Sequence, residues 1–357
     1  MQQKKSGRAA SFFKRYFIDA MSYMALGLFS SLIIGLILAQ LARIPLLAEL
    51  KVYADVVSAS SPVVGAAIGV AIAAGLKAEK LALFSSAVAG AVGYSMSNVM
   101  GAYFAAVVGA ELGQLVYGKT KLDILVVPAV VIVAGGVTAS LLSPVINGSI
   151  SALQAFVETA TLLQPIPMGI VLSVVFGMVL TAPISSAALA AVVFTPEAGT
   201  VLTPGLALAA GAATVGCCCQ MVGFAVASYR ENSVSGLISQ GIGTSMLQFG
   251  NIMAKPVIWL PPTIVSAVLG PLATTVLPMR NASAAAGMGT SGLVGQVGTY
   301  LAMQDEGVLG VTVKVLLLHI VLPALLTWLV SEWFRKMGWI RFGDMLLDDR
   351  PAKEKAK

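Results

Sequence analysis

The sequence predicts an all-α fold, a polytopic transmembrane helical bundle with about ten crossings. Hydrophobic residues make up 57% of the 357 residues and charged residues only 11%. Soluble domains carry about 25% charged residues because their surface must be hydrated. The apolar runs are continuous, as helices require, whereas the strands of a transmembrane barrel alternate apolar and polar residues. Most side chains are therefore expected to face the lipid bilayer or one another.

Nine apolar runs are long enough to cross about 30 Å of hydrocarbon, which takes about 20 residues. They are residues 21–41, 56–76, 81–108, 122–142, 167–190, 203–227, 235–254, 256–277 and 308–334. Residues 147–163 and 283–302 are more polar or richer in glycine, and we predict re-entrant or interfacial helices there. The chain from Leu81 to Tyr117 is long enough to hold a broken helix or two crossings.

Basic residues flank the apolar runs and indicate the orientation. By the positive-inside rule, the basic residues before the first run place the N-terminus in the cytoplasm of an inner-membrane protein. We predict a basic N-terminal segment at 1–20, a transmembrane domain at 21–340 and a charged tail at 341–357. Nine crossings would put the basic tail outside, so one of the two ambiguous stretches is predicted to span as well. The net charge is +6. The sequence has neither aromatic residues placed for stacking on bases nor a soluble nucleic-acid-binding module, so nucleic acid is not an expected partner.

Five features recur in the same order and predict an internal duplication, with halves at 56–190 and 203–334. The matched positions include Gly65 and Gly211, Asn98 and Asn251, Asn147 and Asn281, and Pro183 and Pro323. The alternative is chance similarity between membrane segments rich in glycine and alanine. Repeats of this kind place a transporter's binding site at their interface, near the bilayer midplane.

Polar residues within the apolar runs are the candidate solute-binding residues, because polar groups in hydrocarbon are costly. The candidates are Asn98, Gln248, Asn251, Asn281, Ser283, Gly289, Thr290, Ser291, Gln296, Glu197 and His319. A half-helix starting near Ser291 would direct backbone N–H groups and a positive dipole end at a solute. Amides both donate and accept hydrogen bonds, which suits a neutral hydroxylated solute such as a sugar. The alternative readings are helix packing, interhelical hydrogen bonds and, for Glu197, a solvated loop.

The sequence predicts no metal, no cofactor and no intrinsic catalysis. Consecutive helical residues point about 100° apart, so Cys217, Cys218 and Cys219 cannot converge on one metal ion, and we expect them to pack between helices. No nucleophile accompanied by a base is present, and the single histidine, His319, lies among leucines.

Several motifs resemble the EIIC-like membrane permeases of the bacterial phosphotransferase system, the branch that includes the perfringolysin regulator PfoR. The motifs are residues 120–128, 183–186, 250–253, 255–262, 269–272 and, most specifically, the glycine-rich segment 287–296. The resemblance covers roughly residues 15–340. It implies an EIIC domain that binds a sugar, separate soluble proteins that phosphorylate the sugar during uptake, and a homodimer. The acidic Gly-Ile-Thr-Glu signature of the better-known sugar permeases is absent, and Thr195-Pro196-Glu197 resembles it only weakly.

Two other functions stay open. The chain could be a membrane sensor or regulator that kept the EIIC scaffold, or a transporter of a small organic solute that works without phosphotransfer. The spacing of Gly65 and Gly69 allows close helix contact, which serves either a dimer or packing within one chain.

Overall fold

The computed structural model describes residues 12, 14–42, 45–58, 60–182, 185–196 and 202–347. The all-α prediction is confirmed, because 84% of the described residues are helical and the described ranges contain no strand. In chain order the α-helices are α1 (Met21–Leu28), α2 (Ile34–Leu41), α3 (Leu50–Val56), α4 (Pro62–Gly75), α5 (Lys80–Val116), α6 (Asp123–Leu163), α7 (Pro165–Thr181), α8 (Ser186–Phe194), α9 (Pro204–Ala227), α10 (Tyr229–Ile238), α11 (Phe249–Ala254), α12 (Leu260–Thr274), α13 (Val294–Ala302), α14 (Val308–Val315) and α15 (Leu322–Lys336). Short 3₁₀ and π turns connect several of them.

Six helical stretches of the described ranges are long and apolar enough to cross a membrane. They are Met21–Ala39, Lys80–Val116, Asp123–Leu163, Pro204–Ala227, Pro256–Thr274 and Val308–Lys336. Helices α4 and α7 are apolar but shorter. The chain is thus a multi-pass membrane protein, while the count of about ten crossings stays a prediction.

Three predicted runs differ from the observed helices. Residues 122–142 and 147–163 form the single helix α6, which continues through Pro128 and Pro144. The predicted run 167–190 is divided between α7 and α8, because Ala182 is extended (φ −73°, ψ 161°), as a residue before proline prefers. The predicted run 235–254 is broken into α10, short turns and α11, and Ser233 within α10 has a φ of 52°.

The chain divides into two compact units. Unit 1 comprises Met1–Thr159, Ile184–Leu206 and Ala282–Ala285, and unit 2 comprises Ala160–Pro183, Ala207–Asn281 and Ala286–Lys357. Whether the predicted halves 56–190 and 203–334 share one fold stays a prediction.

In unit 1, helix α5 reverses direction at Ser97 and Asn98. Asn98 has φ 48° and ψ −140°, which no helix accommodates. The reversal folds the two arms of α5 against each other, so that a Cβ at Gly93 would meet the backbone of Gly101 and a Cβ at Gly113 would lie 3.0 Å from Ala82. The predicted break in this segment is confirmed, and Lys80 and Val116 lie at the same end of the hairpin.

Close packing in unit 1 depends on small residues. Gly65 and Gly69 of α4 contact the backbone of Gly90 and Ser86 on α5. The small-residue spacing is therefore used for packing within the chain, and it no longer argues for a dimer. On the other side of the hairpin, the Ser143 hydroxyl of α6 lies 2.6 Å from that of Ser97.

Unit 2 is built on α7, α9 and α12. Gly169 of α7 lies against Gly270 of α12, and the Ser173 hydroxyl donates to the Ser266 carbonyl over 2.7 Å. Gly216 of α9 contacts the backbone of Ser173, so all three helices meet there. These approaches need glycine, because any Cβ would overlap neighbouring backbone.

One end of unit 2 joins a charged turn to the C-terminal segment. The buried carboxylate of Glu231 accepts a 2.8 Å hydrogen bond from Arg335 at the end of α15. Lys255 pairs with Asp344 over 2.5 Å. The segment after α15 therefore lies at the same end as the Arg230–Glu231 turn, as the charge pattern requires.

Candidate functional site

A buried polar group in unit 2 connects the glycine-rich segment to α9. Asn281 is fully buried, and its amide nitrogen donates to the Thr214 hydroxyl over 2.6 Å and to the Gly295 carbonyl over 3.0 Å. Its backbone N–H donates to the Ala207 carbonyl. Because this amide bonds both to α9 and to the start of α13, it fixes the position of the glycine-rich segment.

Gln296 and His319 form the second part of this group. The Gln296 amide nitrogen lies 3.1 Å from Nδ1 of His319 and 3.6 Å from the Cys218 sulfur. Both side chains are buried, and His319 lies in the π turn Leu316–Val321 between α14 and α15. Within the described residues, Oε1 of Gln296 and Nε2 of His319 have no hydrogen-bond partner. Buried polar atoms are rarely left unsatisfied, so this pair requires an explanation.

The turn at residues 289–293 brings backbone close to the cysteines. Gly289 has a φ of 54°, and a Cβ there would lie 2.8 Å from the Cys217 carbonyl carbon. Thr290 is buried with its hydroxyl 3.6 Å from the Met221 sulfur, and Ser291 opens a 3₁₀ turn that leads into α13. Glycine at 289 is thus required twice, by the backbone angle and by contact with α9.

Gln248 and Asn251 lie elsewhere in unit 2, against the C-terminal segment. The Gln248 amide donates to the Met345 carbonyl over 2.9 Å, and the Asn251 amide donates to the Leu346 carbonyl over 3.0 Å. Asn232 donates to the Met345 carbonyl as well. We call these three amides and residues 344–347 the C-terminal clamp. The amides of this clamp donate their hydrogen bonds to backbone carbonyls of the chain itself.

The other candidates belong to unit 1 or lie outside the described residues. Asn98 is at the helix reversal, and Ser283 has its hydroxyl 2.6 Å from that of Thr195. Glu197 lies outside the described residues. The structure therefore brings together Asn281, the 289–291 turn, Gln296 and His319, and it places Gln248 with Asn251 in a second group.

Sequence reasoning missed a polar side chain at the centre of unit 2. Gln220 of α9 is fully buried, accepts from the Trp259 indole over 3.1 Å and donates to the Thr263 hydroxyl over 3.1 Å. The Thr181 hydroxyl lies 3.3 Å from the Gln220 side-chain oxygen. An amide within an apolar run is the signal that would have identified it.

The fold is that of a multi-pass membrane protein, and in unit 2 it encloses neutral hydrogen-bonding groups between helices. A family profile described as Phosphotransferase system, EIIC matches residues 18–347. The chain belongs to this family, and it is the membrane permease component of a phosphotransferase system, which works with phosphotransfer partners and a solute. No curated protein and no solved structure matched the chain.

Proposed function

We propose that this permease takes up a sugar or a related small hydroxylated solute, which separate soluble phosphotransfer proteins phosphorylate. The observation that carries the proposal is the pair of unpartnered atoms on Gln296 and His319 in the described part of unit 2. If the Gln296 amide donates to Nδ1, then Nε2 of His319 carries the proton and donates. This donor and the Oε1 acceptor of Gln296 suit a hydroxylated solute, whose hydroxyl groups both accept and donate hydrogen bonds.

The surroundings of this pair also favour a neutral solute. The residues grouped with it are amides, hydroxyls and glycine backbone, among them Asn281, Thr290 and Gly289. A carboxylate solute would need a cation or several N–H donors to replace its hydration. The hydroxyls of a sugar need only the neutral donors and acceptors that this group offers.

We further propose an inner-membrane location with the N-terminus in the cytoplasm. In unit 1 the Arg15 guanidinium donates to the Leu76 carbonyl and to Glu111. Arg15 therefore lies at the end of the α5 hairpin where the turns carrying Lys80 and Lys119 also lie. An end rich in basic residues faces the cytoplasm under the positive-inside rule.

The homodimer remains a proposal that rests on the family. The expected mass is that of two chains, both in mild detergent and in lipid discs, measured by light scattering. A single-chain mass in both media would exclude the dimer.

A thermal-shift screen tests the solute class. Purified protein would be heated with sugars, polyols, deoxy analogues of the hits, and organic acids. A ligand at 100 times its Kd raises stability by about 2.7 kcal/mol. We expect a shift with at least one neutral hydroxylated solute and a smaller shift with the analogue that lacks one hydroxyl. Shifts with organic acids alone would refute the proposal.

Transport is tested in proteoliposomes with the solute found in the screen. We expect phosphorylated solute to accumulate only when the soluble phosphotransfer proteins and their phosphoryl donor are supplied. Binding without any uptake would instead favour the sensor, and uptake of unmodified solute would favour a transporter independent of phosphotransfer.

A further inference from the structure

A lateral cleft opens in unit 2 between the end of α9, α10 and α15. It has a volume of about 370 Å³ and is walled by Val226, Leu237 and the partly exposed rings of Tyr229 and Trp328. Small-ligand sites have volumes of about 300–1,000 Å³. The cleft is therefore large enough for a headgroup with the first part of an acyl chain.

Aromatic and basic residues place this cleft at the headgroup level of the bilayer. Trp328, Trp333 and Trp339 are 42%, 56% and 49% exposed. Tryptophan and tyrosine concentrate where hydrocarbon meets the polar headgroups, and basic residues such as Lys336 flank that level. The apolar wall of the cleft faces the hydrocarbon side, because α15 is apolar before Trp328 and charged after it.

A pair of opposite charges lines the cleft. Arg230 and Glu332 are 3.1 Å apart, with side chains 58% and 21% exposed. Arg230 has five N–H donors, and among the described residues this ion pair is its one recorded partner. The neighbouring Arg335 is 10% exposed, is bound to Glu231 and lies 3.9 Å from Glu332, so its guanidinium is committed to the protein.

We propose that this cleft binds a phospholipid whose headgroup carries a phosphate, a primary ammonium and no other charged group, that is, a phosphatidylethanolamine. Arg230 binds the phosphate through its free N–H groups, Glu332 accepts hydrogen bonds from the ammonium, and the acyl chain lies along Val226, Leu237 and Trp328. The side-by-side charges of the cleft match the opposite charges of this headgroup. This inference goes beyond the transport function and does not depend on it.

Other headgroups fit this charge pair less well. The quaternary ammonium of phosphatidylcholine has no N–H group to donate to Glu332. Phosphatidylglycerol carries a net negative charge and has no ammonium to donate to Glu332. The pair therefore selects both for the phosphate and for a hydrogen-bonding ammonium.

Native mass spectrometry of the detergent-purified protein tests the proposal. The protein would be titrated separately with phosphatidylethanolamine, phosphatidylcholine and phosphatidylglycerol of the same acyl chains. We expect phosphatidylethanolamine to bind at least fivefold more tightly than the other two. Glu332→Gln should remove this preference, and Arg230→Gln should weaken all three lipids. As a matched control, Arg280→Gln with Asp305→Asn removes another ion pair of unit 2 and should leave the preference unchanged.

Two results would overturn the proposal. One is equal binding of the three lipids to the unchanged protein, and the other is a preference that survives Glu332→Gln. A third variant, Leu237→Trp, fills the cleft without touching a charge and should reduce retention of phosphatidylethanolamine at least fivefold. Retention unchanged in this variant, with normal gel filtration, would place the lipid elsewhere.

Discussion

The side-chain amide nitrogen of Gln296 lies 3.1 Å from Nδ1 of His319, and both side chains are buried. This contact joins α13, which follows the glycine-rich turn, to the π turn between α14 and α15. Single π turns within helices are frequent at functional sites, because they redirect one side chain without ending the helix. Here the π turn places the imidazole of His319 against the side-chain amide of Gln296.

Replacing Gln296 by Leu should weaken solute binding. The change removes the unpartnered Oε1 acceptor and the bond that fixes the tautomer of His319. A lost neutral hydrogen bond costs about 0.5–1.5 kcal/mol, which corresponds to a Kd about two- to thirteenfold higher. Titration of the thermal shift would measure it. Thr299→Val is the control, because this buried hydroxyl of α13 donates to the Gly295 carbonyl of its own helix. Equal solute affinities of the two variants would show that the binding site does not include Gln296.

Alanine at Gly289 should destabilise the protein more than alanine at Gly292. Both glycines have left-handed backbone, with φ of 54° and 53°. That conformation alone costs an L-residue about 1–2 kcal/mol. A Cβ at 289 would also lie 2.8 Å from the Cys217 carbonyl carbon, whereas the nearest atom at 292 is 3.8 Å away. Unfolding midpoints in one detergent compare the two, and equal losses would show that contact with α9 is not limiting. Gly289→Val, with a branched side chain, should reduce solute binding as well.

Asn232→Ala should loosen the C-terminal clamp. The Asn232 side chain accepts from the backbone N–H of Leu347 over 2.8 Å and donates to the Met345 carbonyl over 2.8 Å. Without it, the amide of Leu347 should exchange hydrogen faster, which mass spectrometry of the 341–347 peptide detects. Asn147→Ala, which removes a bond to the Met96 carbonyl in unit 1, is the control. Unchanged exchange in Asn232→Ala would mean that the clamp is held by its other bonds.

Asn251→Ala separates two roles for this residue. Its amide donates to the Leu346 carbonyl, so we expect faster exchange in the same peptide. The sequence prediction that Asn251 binds solute requires a weaker thermal-shift titration as well. Faster exchange with unchanged solute affinity would assign Asn251 to the clamp alone.

The stability that Asp305 contributes should disappear in acid. Hydrogen bonds from Arg280 lower the pKa of Asp305 below its ordinary value of 3.8. A carboxylate with a lowered pKa stabilises the fold above its ordinary pKa and loses that contribution as the pH falls through the lowered value. The melting-temperature gap between the unchanged protein and Asp305→Asn should therefore be largest above the ordinary pKa of 3.8 and shrink as the pH falls below it. The gap should be small, because Asp305 is exposed. A gap that widens in acid would contradict the assignment.

Local patterns were enough to predict several of the long helices, and the length of the Leu81–Tyr117 stretch allowed for the break in α5. The continuous apolar run from Pro204 to Ala227 is one helix, and the Gly- and Ser-rich stretch around Asn98 reverses, because both features depend on residues close in sequence. The sequence analysis predicts one run over 167–190 and so misses the end of α7 before Pro183, although the residue before a proline avoids the helical region.

Contacts between distant residues could not be predicted. Gln248 and Asn251 are polar residues of a predicted apolar run, as expected of solute-binding residues, and their observed partners are carbonyls nearly a hundred residues away. Likewise, the spacing of Gly65 and Gly69 indicates a close helix contact, but it does not show that the partner helix is α5. A buried side chain that can form hydrogen bonds needs a partner, but the sequence alone does not show which residue that partner is.

The C-terminal clamp sets an order of assembly for one end of unit 2. Its hydrogen bonds link Asn232 to Met345 across 113 positions and Gln248 to Met345 across 97. The ribosome synthesises these amides long before the carbonyls that they bind, so α10 and α11 are made with these donors still hydrated or temporarily paired. Contacts of such long range form late, because the loop they close is entropically expensive. The nascent chain thus completes this end only after α15 has been inserted, which makes the clamp a marker of finished biogenesis.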